Sequence, residues 1–375
     1  MTSETLMLKN TIQDKPRQLA LIIPGHNEAL VIQDTIRSAL ASGQNRDDIF
    51  VVDDNSNDGT ADLAREILSV TNVLSVPRSG KARAIMQALE HFKIADSYQW
   101  AHIADADSVF GPAYFAEFTK NLNPDKYVAA TGYVKALKGN WISKYRAYEY
   151  SLGQEIMRRI QSMLGTIPVI PGPTSCFRTD VLEHLDFTTP NITEDFDITL
   201  QLHRNKLGKI QYIPSAVTWT QDPKDYRDYV KQVSRWYRGF WQGIMQRRVG
   251  LGFQRIDAYL GYQMIEMFIY YLNLMVLLPI LLIQGHGVYS LAITFLIDCV
   301  IFFATTIMAA MAHKRLDVLE AFPLFYILRL TNMVIYLKEF MEVVILRRHR
   351  LSYTPWDTEG RRYRMPVGAT EGGTE

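Results

Sequence analysis

Asp105-Ala106-Asp107 closes a short apolar run, and that spacing lets two carboxylates at a strand end reach one divalent ion and its phosphate ligand. Mg²⁺ and Mn²⁺ prefer such oxygen ligands and bridge carboxylates to substrate phosphates. Asp53-Asp54 closes a second run, where a carboxylate accepts from a ribose hydroxyl or a base N–H. Lys81 follows Gly80 at the start of a helical stretch, where an ammonium beside backbone N–H groups makes an anion site. Thr193-Glu194-Asp195 precedes another helix. Its acids serve as caps, or Asp195 serves as a general base toward a hydroxyl. Gln232 and Arg235 stand three apart on a basic amphipathic helix, with Trp236 beside them. An arginine and an aromatic platform suit a diphosphate and a sugar ring. Taken singly, each piece also reads as a solvated turn, a cap or a surface lysine. No G-x-G-x-x-G follows the first strand, and no G-x-x-x-x-G-K-[ST] occurs, which excludes a dinucleotide fingerprint and a P-loop.

Four apolar runs must position these groups: Leu19–Ile23, Ile49–Val52, Val73–Val76 and Ala101–Ala104, each ending in a polar cluster. Helical stretches follow the first three, over Asn27–Ser42, from Asp58-Gly59-Thr60 with Asp58 as N-cap, and over Lys81–Phe92. This βαβαβαβ alternation predicts an α/β fold around a mostly parallel sheet with right-handed crossovers. Ligands of such sheets bind beyond the carboxyl ends of the strands, so the clusters converge on one crevice. Trp141–Leu164 reads as a long amphipathic helix ending at Gly165, and Asp225–Arg248 as a helix rich in aromatic and basic residues. That composition suits an anionic membrane surface.

The chain has 375 residues, a formal net charge of +1 and two cysteines, Cys176 and Cys299. Bulk charge therefore gives no reason to expect nucleic acid, and the cysteines offer neither a disulfide framework nor a zinc pattern. Met1–Arg17 is polar and lacks a signal peptide, so the catalytic half is expected in the cytoplasm. Met267–Ile283 carries no charge and Gly287–Ala312 only Asp298, so both are expected to cross a membrane. Gln284-Gly285-His286-Gly287 has no Lys or Arg and is expected outside; His313-Lys314-Arg315 and Arg347-Arg348-His349-Arg350 are expected inside. Ala321–Leu346 carries Arg329, Lys338, Glu339 and Glu342. It is expected to lie at the interface or form a bent, re-entrant pair after Pro323, with a simple third span as the alternative. Asp298 and Glu266 are expected to seek buried neighbours, which fits a homo-oligomer. The expected organisation is a polar arm (1–17), a cytoplasmic catalytic domain (18–220), an amphipathic interface region (221–256), a membrane domain of two to four segments (257–346) and a basic cytoplasmic tail (347–375).

In their order along residues 18–240, these pieces resemble the membrane-integrated branch of family 2 glycosyltransferases that includes cellulose, chitin and hyaluronan synthases. The matching motifs are Pro24–Glu28, Asp53–Thr60, Gly80-Lys81-Ala82, Asp105-Ala106-Asp107, Thr193-Glu194-Asp195 and Gln232-x-x-Arg235-Trp236, and Trp356–Arg361 looks like a tail element of bacterial members. The resemblance implies a GT-A type, Rossmann-like domain followed by interfacial and transmembrane helices. It implies that Pro24, Asn27, Glu28, Asp53, Asp54, Lys81 and Asp105 hold the nucleotide. Asp105 and Asp107 would also hold Mg²⁺ or Mn²⁺. Asp195 would be the base, with Glu194 and Asp107 beside it in the catalytic set. Gln232, Arg235 and Trp236 would line the diphosphate and acceptor site, with Gly172 and Ser175 in a small-residue turn under the acceptor. The implied reaction moves a sugar, with inversion, from a nucleotide sugar, by the resemblance a UDP-sugar, to a hydroxyl of a glycan or lipid-linked glycan. A polyprenyl-phosphate sugar transferase and a non-catalytic membrane scaffold are the alternatives. The processive relatives usually carry membrane helices before the catalytic domain, and here none precedes it.

Overall fold

The computed structural model describes residues 17–348, apart from Pro190, 251–252, 273–275, 277, 286 and 313. The polar arm before Arg17, Arg347–Arg350 beyond its first two residues, and Trp356–Arg361 lie outside the described residues, as does the centre of the 284–287 turn. Strand β1 (Arg17–Gly25) buries both faces: Ala20 and Ile22 point into one cluster, Leu19, Leu21 and Ile23 into another. A near-continuous apolar strand of this kind belongs to a sheet covered on both sides. Strands β2 (Ile49–Asp54), β3 (Val73–Val76) and β4 (Tyr98–Ile103) join it in parallel. The short β5 (Val109–Phe110), then β6 (Tyr127–Ala136), β7 (Ser175–Arg178) and β8 (Lys209–Thr220) complete an eight-stranded sheet in the order β3-β2-β1-β4-β7-β6-β8-β5. β7 enters antiparallel to both β4 and β6, so the sheet is mixed beyond β4.

Helices α1 (Ile32–Ala41), α2 (Thr60–Arg65) and α4 (Tyr114–Asn121) cover one face, and α3 (Lys81–His91) the other. Two boundaries differ from expectation. α1 begins five residues after Asn27, because Asn27 takes a positive φ of 54° and its Oδ1 accepts from Asn57 N–H at 3.0 Å. Gly59, not Asp58, caps α2, although Asp58 Oδ1 still accepts from Thr60 N–H at 3.0 Å. His102 is fully buried among aromatic rings, and burial pushes its imidazole down to about 3, so it is a neutral core residue bonded to the Tyr114 hydroxyl.

Helix α5 (Trp141–Ser151) is capped by Asn140 and runs through a π-helical turn at Leu152–Met157 into α6 (Arg158–Leu164), which ends at Gly165 as expected. Helix α7 (Glu194–Arg204) follows the β7 region, and α8 (Tyr226–Gln246) is capped by Asp225 Oδ1. After it come α9 (Arg255–Leu272), α10 (Leu278–Ile283), α11 (Gly287–Ala312) and α12 (Phe322–Phe340). Among the described residues, α11 alone is long and apolar enough to cross a membrane, with 26 residues and a mean hydropathy of 2.3 in its most apolar window. Of the expected span at Met267–Ile283, Met267–Leu272 lie in α9 and Leu278–Ile283 in α10, while residues 273–275 and 277 lie outside the described residues. Residues 322–345 form one helix ending in a π-helical turn, with Pro323 in its first turn, so the bent pair after Pro323 does not occur. Proline is tolerated there because the first-turn N–H has no helical partner.

Several charges of this region find partners within the chain, whereas Glu266, expected among buried neighbours, is exposed on α9. Arg329 grips Asp298 with two bonds of 2.9 Å, and Arg238 donates to the buried Glu339 at 2.7 Å. Asp298 is thus satisfied by α12, and a second subunit is not needed to pair it.

Candidate active site

The polar clusters meet where expected, but their side chains divide the work differently. Asp53 ends β2 beside a cleft of about 580 Å³ lined by Asn55, Ser56, Thr60, Arg65 and Pro77. Its Oδ2 accepts from Ser56 N–H at 3.3 Å, while the buried Oδ1 has no hydrogen-bond partner. A buried orphan acceptor on a residue that lines a cleft is costly unless a ligand donor satisfies it. Asp54 points the other way. Its oxygens accept from Ser79 N–H at 2.6 Å and Gly80 N–H at 2.9 Å, with Arg78 at 3.4 Å. Asp54 thereby staples the loop that delivers Lys81. Pro24 pairs with Val52 inside the sheet, Asn27 N–H donates to Ser56 Oγ at 2.9 Å, and Glu28, 1% exposed, starts the turn into α1. None of the three lines the cleft; Asn27 and Glu28 bond to Ser56 and Thr60, which do.

Lys81 opens α3 and bridges two carboxylates, Asp105 Oδ1 at 2.7 Å and Glu194 Oε1 at 2.5 Å. Burial opposes its charge, but Asp105 and Glu194 outweigh burial and keep it protonated. Gly172 packs on the same cluster: a Cβ there would lie 2.5 Å from Asp105 Oδ2, so the turn at 172–174 can approach only as glycine. Ser175 is spent inside this turn, donating to Ile170 O at 3.2 Å and Pro171 O at 3.1 Å. It holds the turn rather than facing the crevice.

Asp195 sits in the first turn of α7, and its Oδ1 accepts from Phe196 N–H at 2.8 Å. Burial, then the neighbouring Glu194 charge, push its carboxyl up to about 6 against the pull of Lys81, the Phe196 N–H and Arg235. A carboxylate tuned upward in this way is suited to taking a proton near neutral pH. Arg235 reaches it electrostatically from α8 and forms no ion pair of its own among the described residues. Gln232 and Trp236 stand on the adjoining face of α8, around the Arg146 guanidinium.

Asp107 is 4% exposed, directly past the Asp105 turn closed by Ser108 N–H on Asp105 O at 3.0 Å. Among the described residues, no third acid, histidine or cysteine joins Asp105 and Asp107 in a metal-binding group. Two carboxylates fit a divalent ion that takes its remaining ligands from a diphosphate and water.

Three features beside the site escaped the sequence reading. Asp222, after β8, is buried, with Oδ2 lacking a hydrogen-bond partner. Burial pushes it up to about 8, with Arg146 pulling down and Glu149 and Asp107 adding to the rise. Arg146 itself lies on α5. Gly239 and Gly243, one helical turn apart on α8, press against Thr193 and Phe196 so closely that neither position leaves room for a Cβ. Only that last pair had a legible signal, a G-x-x-x-G spacing inside an aromatic helix.

A mixed sheet with a nucleotide-sized cleft, a two-carboxylate strand end and a lysine-bridged acidic helix defines a GT-A type transferase. The chain belongs to the glycosyltransferase-like family 2, whose family model matches residues 16–239. It is 27% identical over 307 residues to a poly-β-1,6-N-acetyl-D-glucosamine synthase of Staphylococcus epidermidis, covering 77% of this chain and 73% of that protein. It is 27% identical over 234 residues to the synthase of the same name from Staphylococcus aureus, covering 60% and 55%. In fold it is similar to the mannosyltransferase PcManGT from Pyrobaculum calidifontis, solved with GDP-Man and Mn²⁺. The TM-score is 0.53 at 16% identity, covering 86% of this chain and 92% of that one.

Proposed function

We propose that this glycosyltransferase moves a sugar from a nucleotide sugar to a hydroxyl of a glycan at a membrane surface, inverting the anomeric centre. The observation that carries the reading is the Lys81 bridge. One ammonium joins Asp105, on the strand-end side, to Glu194, beside the elevated Asp195. The donor and acceptor halves of the site are therefore one electrostatic unit. Asp53, with its orphan oxygen, is assigned to the nucleoside, and Lys81 and Arg235 to the diphosphate. Asp195 takes the acceptor's hydroxyl proton as that oxygen forms its bond to the anomeric carbon. The bond from the anomeric carbon to the diphosphate breaks on the opposite face, and its electron pair leaves with the diphosphate. A Mg²⁺ or Mn²⁺ ion held by Asp105 and Asp107 would offset charge on that leaving group.

An acceptor that is already ionised, such as a polyprenyl phosphate, needs no base, and the tuned Asp195 favours a hydroxyl acceptor instead. The names of the relatives make UDP-N-acetylglucosamine the first donor to try. α11 is assigned to a membrane crossing, with α8 lying at the cytoplasmic face and α12 packed along α11 through the Arg329–Asp298 pair. Its C-terminal end supports this side, because Glu320, just beyond it, pairs with Lys144 of α5 at 2.7 Å. The test is nucleoside diphosphate release and product mass across a panel of nucleotide sugars, with and without Mn²⁺. Metal-dependent release with sugar transfer is expected, and no release from any donor would remove the reading.

A further inference from the structure

Arg146 lies outside every motif used above, and it is 3% exposed. Its Nη1 donates to Glu149 Oε2 at 2.7 Å and its Nη2 to Gln232 Oε1 at 3.0 Å. The guanidinium carbon lies 4.5 Å from the Trp236 ring centroid and 4.8 Å from that of Tyr229. Tyr229, Gln232 and Trp236 fall at i, i+3 and i+7 of α8, so one face of that helix wraps the guanidinium. One side chain of α5 thus touches two residues of the Gln232-x-x-Arg235-Trp236 run.

The chemistry of the contact is specific to arginine. A planar, weakly hydrated guanidinium stacks flat on aromatic rings and presents a rigid fork to its acceptors, whereas a lysine ammonium is a compact point charge with neither the flat face nor the fixed fork. The charge is costly to bury, and the network is closed to hold it. Glu149 Oε1 accepts from Asn332 Nδ2 at 3.3 Å, and Asn332 Oδ1 accepts from the Tyr229 hydroxyl at 2.7 Å. Helices α5, α8 and α12 are all committed to it. Arg146 Nε still lacks a partner, so an apolar residue would serve packing alone at lower cost.

We infer that Arg146 is a positioning residue for the acceptor half of the site, holding Gln232 and the Trp236 indole in the orientation that receives the acceptor sugar. The inference rests on the glycosyl-transfer reading. Arg146 makes no hydrogen bond to Asp53, Lys81 or Asp105, and its link toward Asp107 runs only through the electrostatics of Asp222, so the donor side is expected to feel its loss far less than the acceptor side.

The test uses full-length Arg146→Lys and Arg146→Met in detergent micelles. UDP-N-acetylglucosamine is the donor and a short β-1,6-linked N-acetylglucosamine oligosaccharide the acceptor. Losing a charged hydrogen bond predicts an acceptor KM raised about tenfold. Donor KM is expected to stay within about twofold, by the separation of partners above. More nucleoside diphosphate is expected per sugar transferred, and lysine is expected not to rescue. Adding Trp236→Ala to Arg146→Met is expected to cost little more than either alone. Should Arg146→Met fail to fold, Arg146→Lys carries the KM comparison. Donor and acceptor KM moving together, or wild-type behaviour in Arg146→Lys, would overturn the inference while leaving glycosyl transfer standing. A wild-type chain that turns over no donor would overturn the underlying reading and this inference with it.

Discussion

At the scale of single residues, identical side chains in neighbouring positions do unlike things. Asp53 lines a cleft and keeps a buried, unpartnered oxygen, and Asp54 spends its oxygens on the Ser79 and Gly80 N–H groups. Asp53→Asn is therefore expected to raise donor KM with little change in melting temperature. Asp54→Asn is expected to lower stability by about 1–3 kcal/mol through the buried donors it leaves unpaired. Donor titration beside thermal melts separates the two. Asp195 gives a pH prediction. As a base it must be ionised, and its carboxyl is raised to about 6, so transfer should fall as pH drops through that value and level off above it. Asp195→Asn should remove the acidic limb and slow transfer by about 10²–10⁴-fold, with donor binding kept. Full activity in that variant would rule out a hydroxyl acceptor deprotonated by Asp195. The sequence showed which residue types cluster at strand ends. Which oxygen faces the crevice depends on loop geometry that spacing does not encode.

At the scale of elements, the contact between α7 and α8 sets where Asp195 sits. Gly239 lies against Thr193, directly before the Glu194-Asp195 pair, and Asn191 Nδ2 donates to Gly239 O at 3.3 Å. Gly239→Ala must push the helices apart, at a cost of about 1–3 kcal/mol from overpacking. Because Thr193 borders the base, kcat should fall as well. Melting temperature and turnover measured on one preparation test this, and a silent substitution would show that the contact is loose. The periodicity of α8 was visible from its apolar and aromatic residues. Its partner was not, since G-x-x-x-G says only that some backbone comes close. The start of α1 failed for a related reason: Asn27 continues the helical pattern in sequence, but a tertiary tie to Asn57 draws it into a left-handed turn.

For the whole molecule, the helices after residue 226 form a platform joined to the catalytic domain by ion pairs. Arg204 with Asp257, Arg247 with Asp197 and Lys144 with Glu320 all cross that junction. Within the platform, Asp298→Asn or Arg329→Met alone should cost about 1–2 kcal/mol, and the double variant should recover part of it. Thermal melts in detergent check this coupling. Topology follows from the same picture. In a Cys176→Ala, Cys299→Ala background, an impermeant maleimide applied outside intact cells should label Tyr289→Cys and spare Lys314→Cys, and the reverse pattern would invert the assignment of α11. Residue type and period alone specified the four parallel strands, the helices between them and the crevice at their ends, because burial on two sheet faces demands near-continuous apolar runs; the later strands β5–β8 and the antiparallel entry of β7 were not legible there. Folding in three dimensions decided which carboxylates face the ligand, how α8 docks on α7, and that Asp298 is answered by Arg329. Those outcomes depend on distances between residues far apart in the chain, and pairing energies act only after the backbone has brought them together.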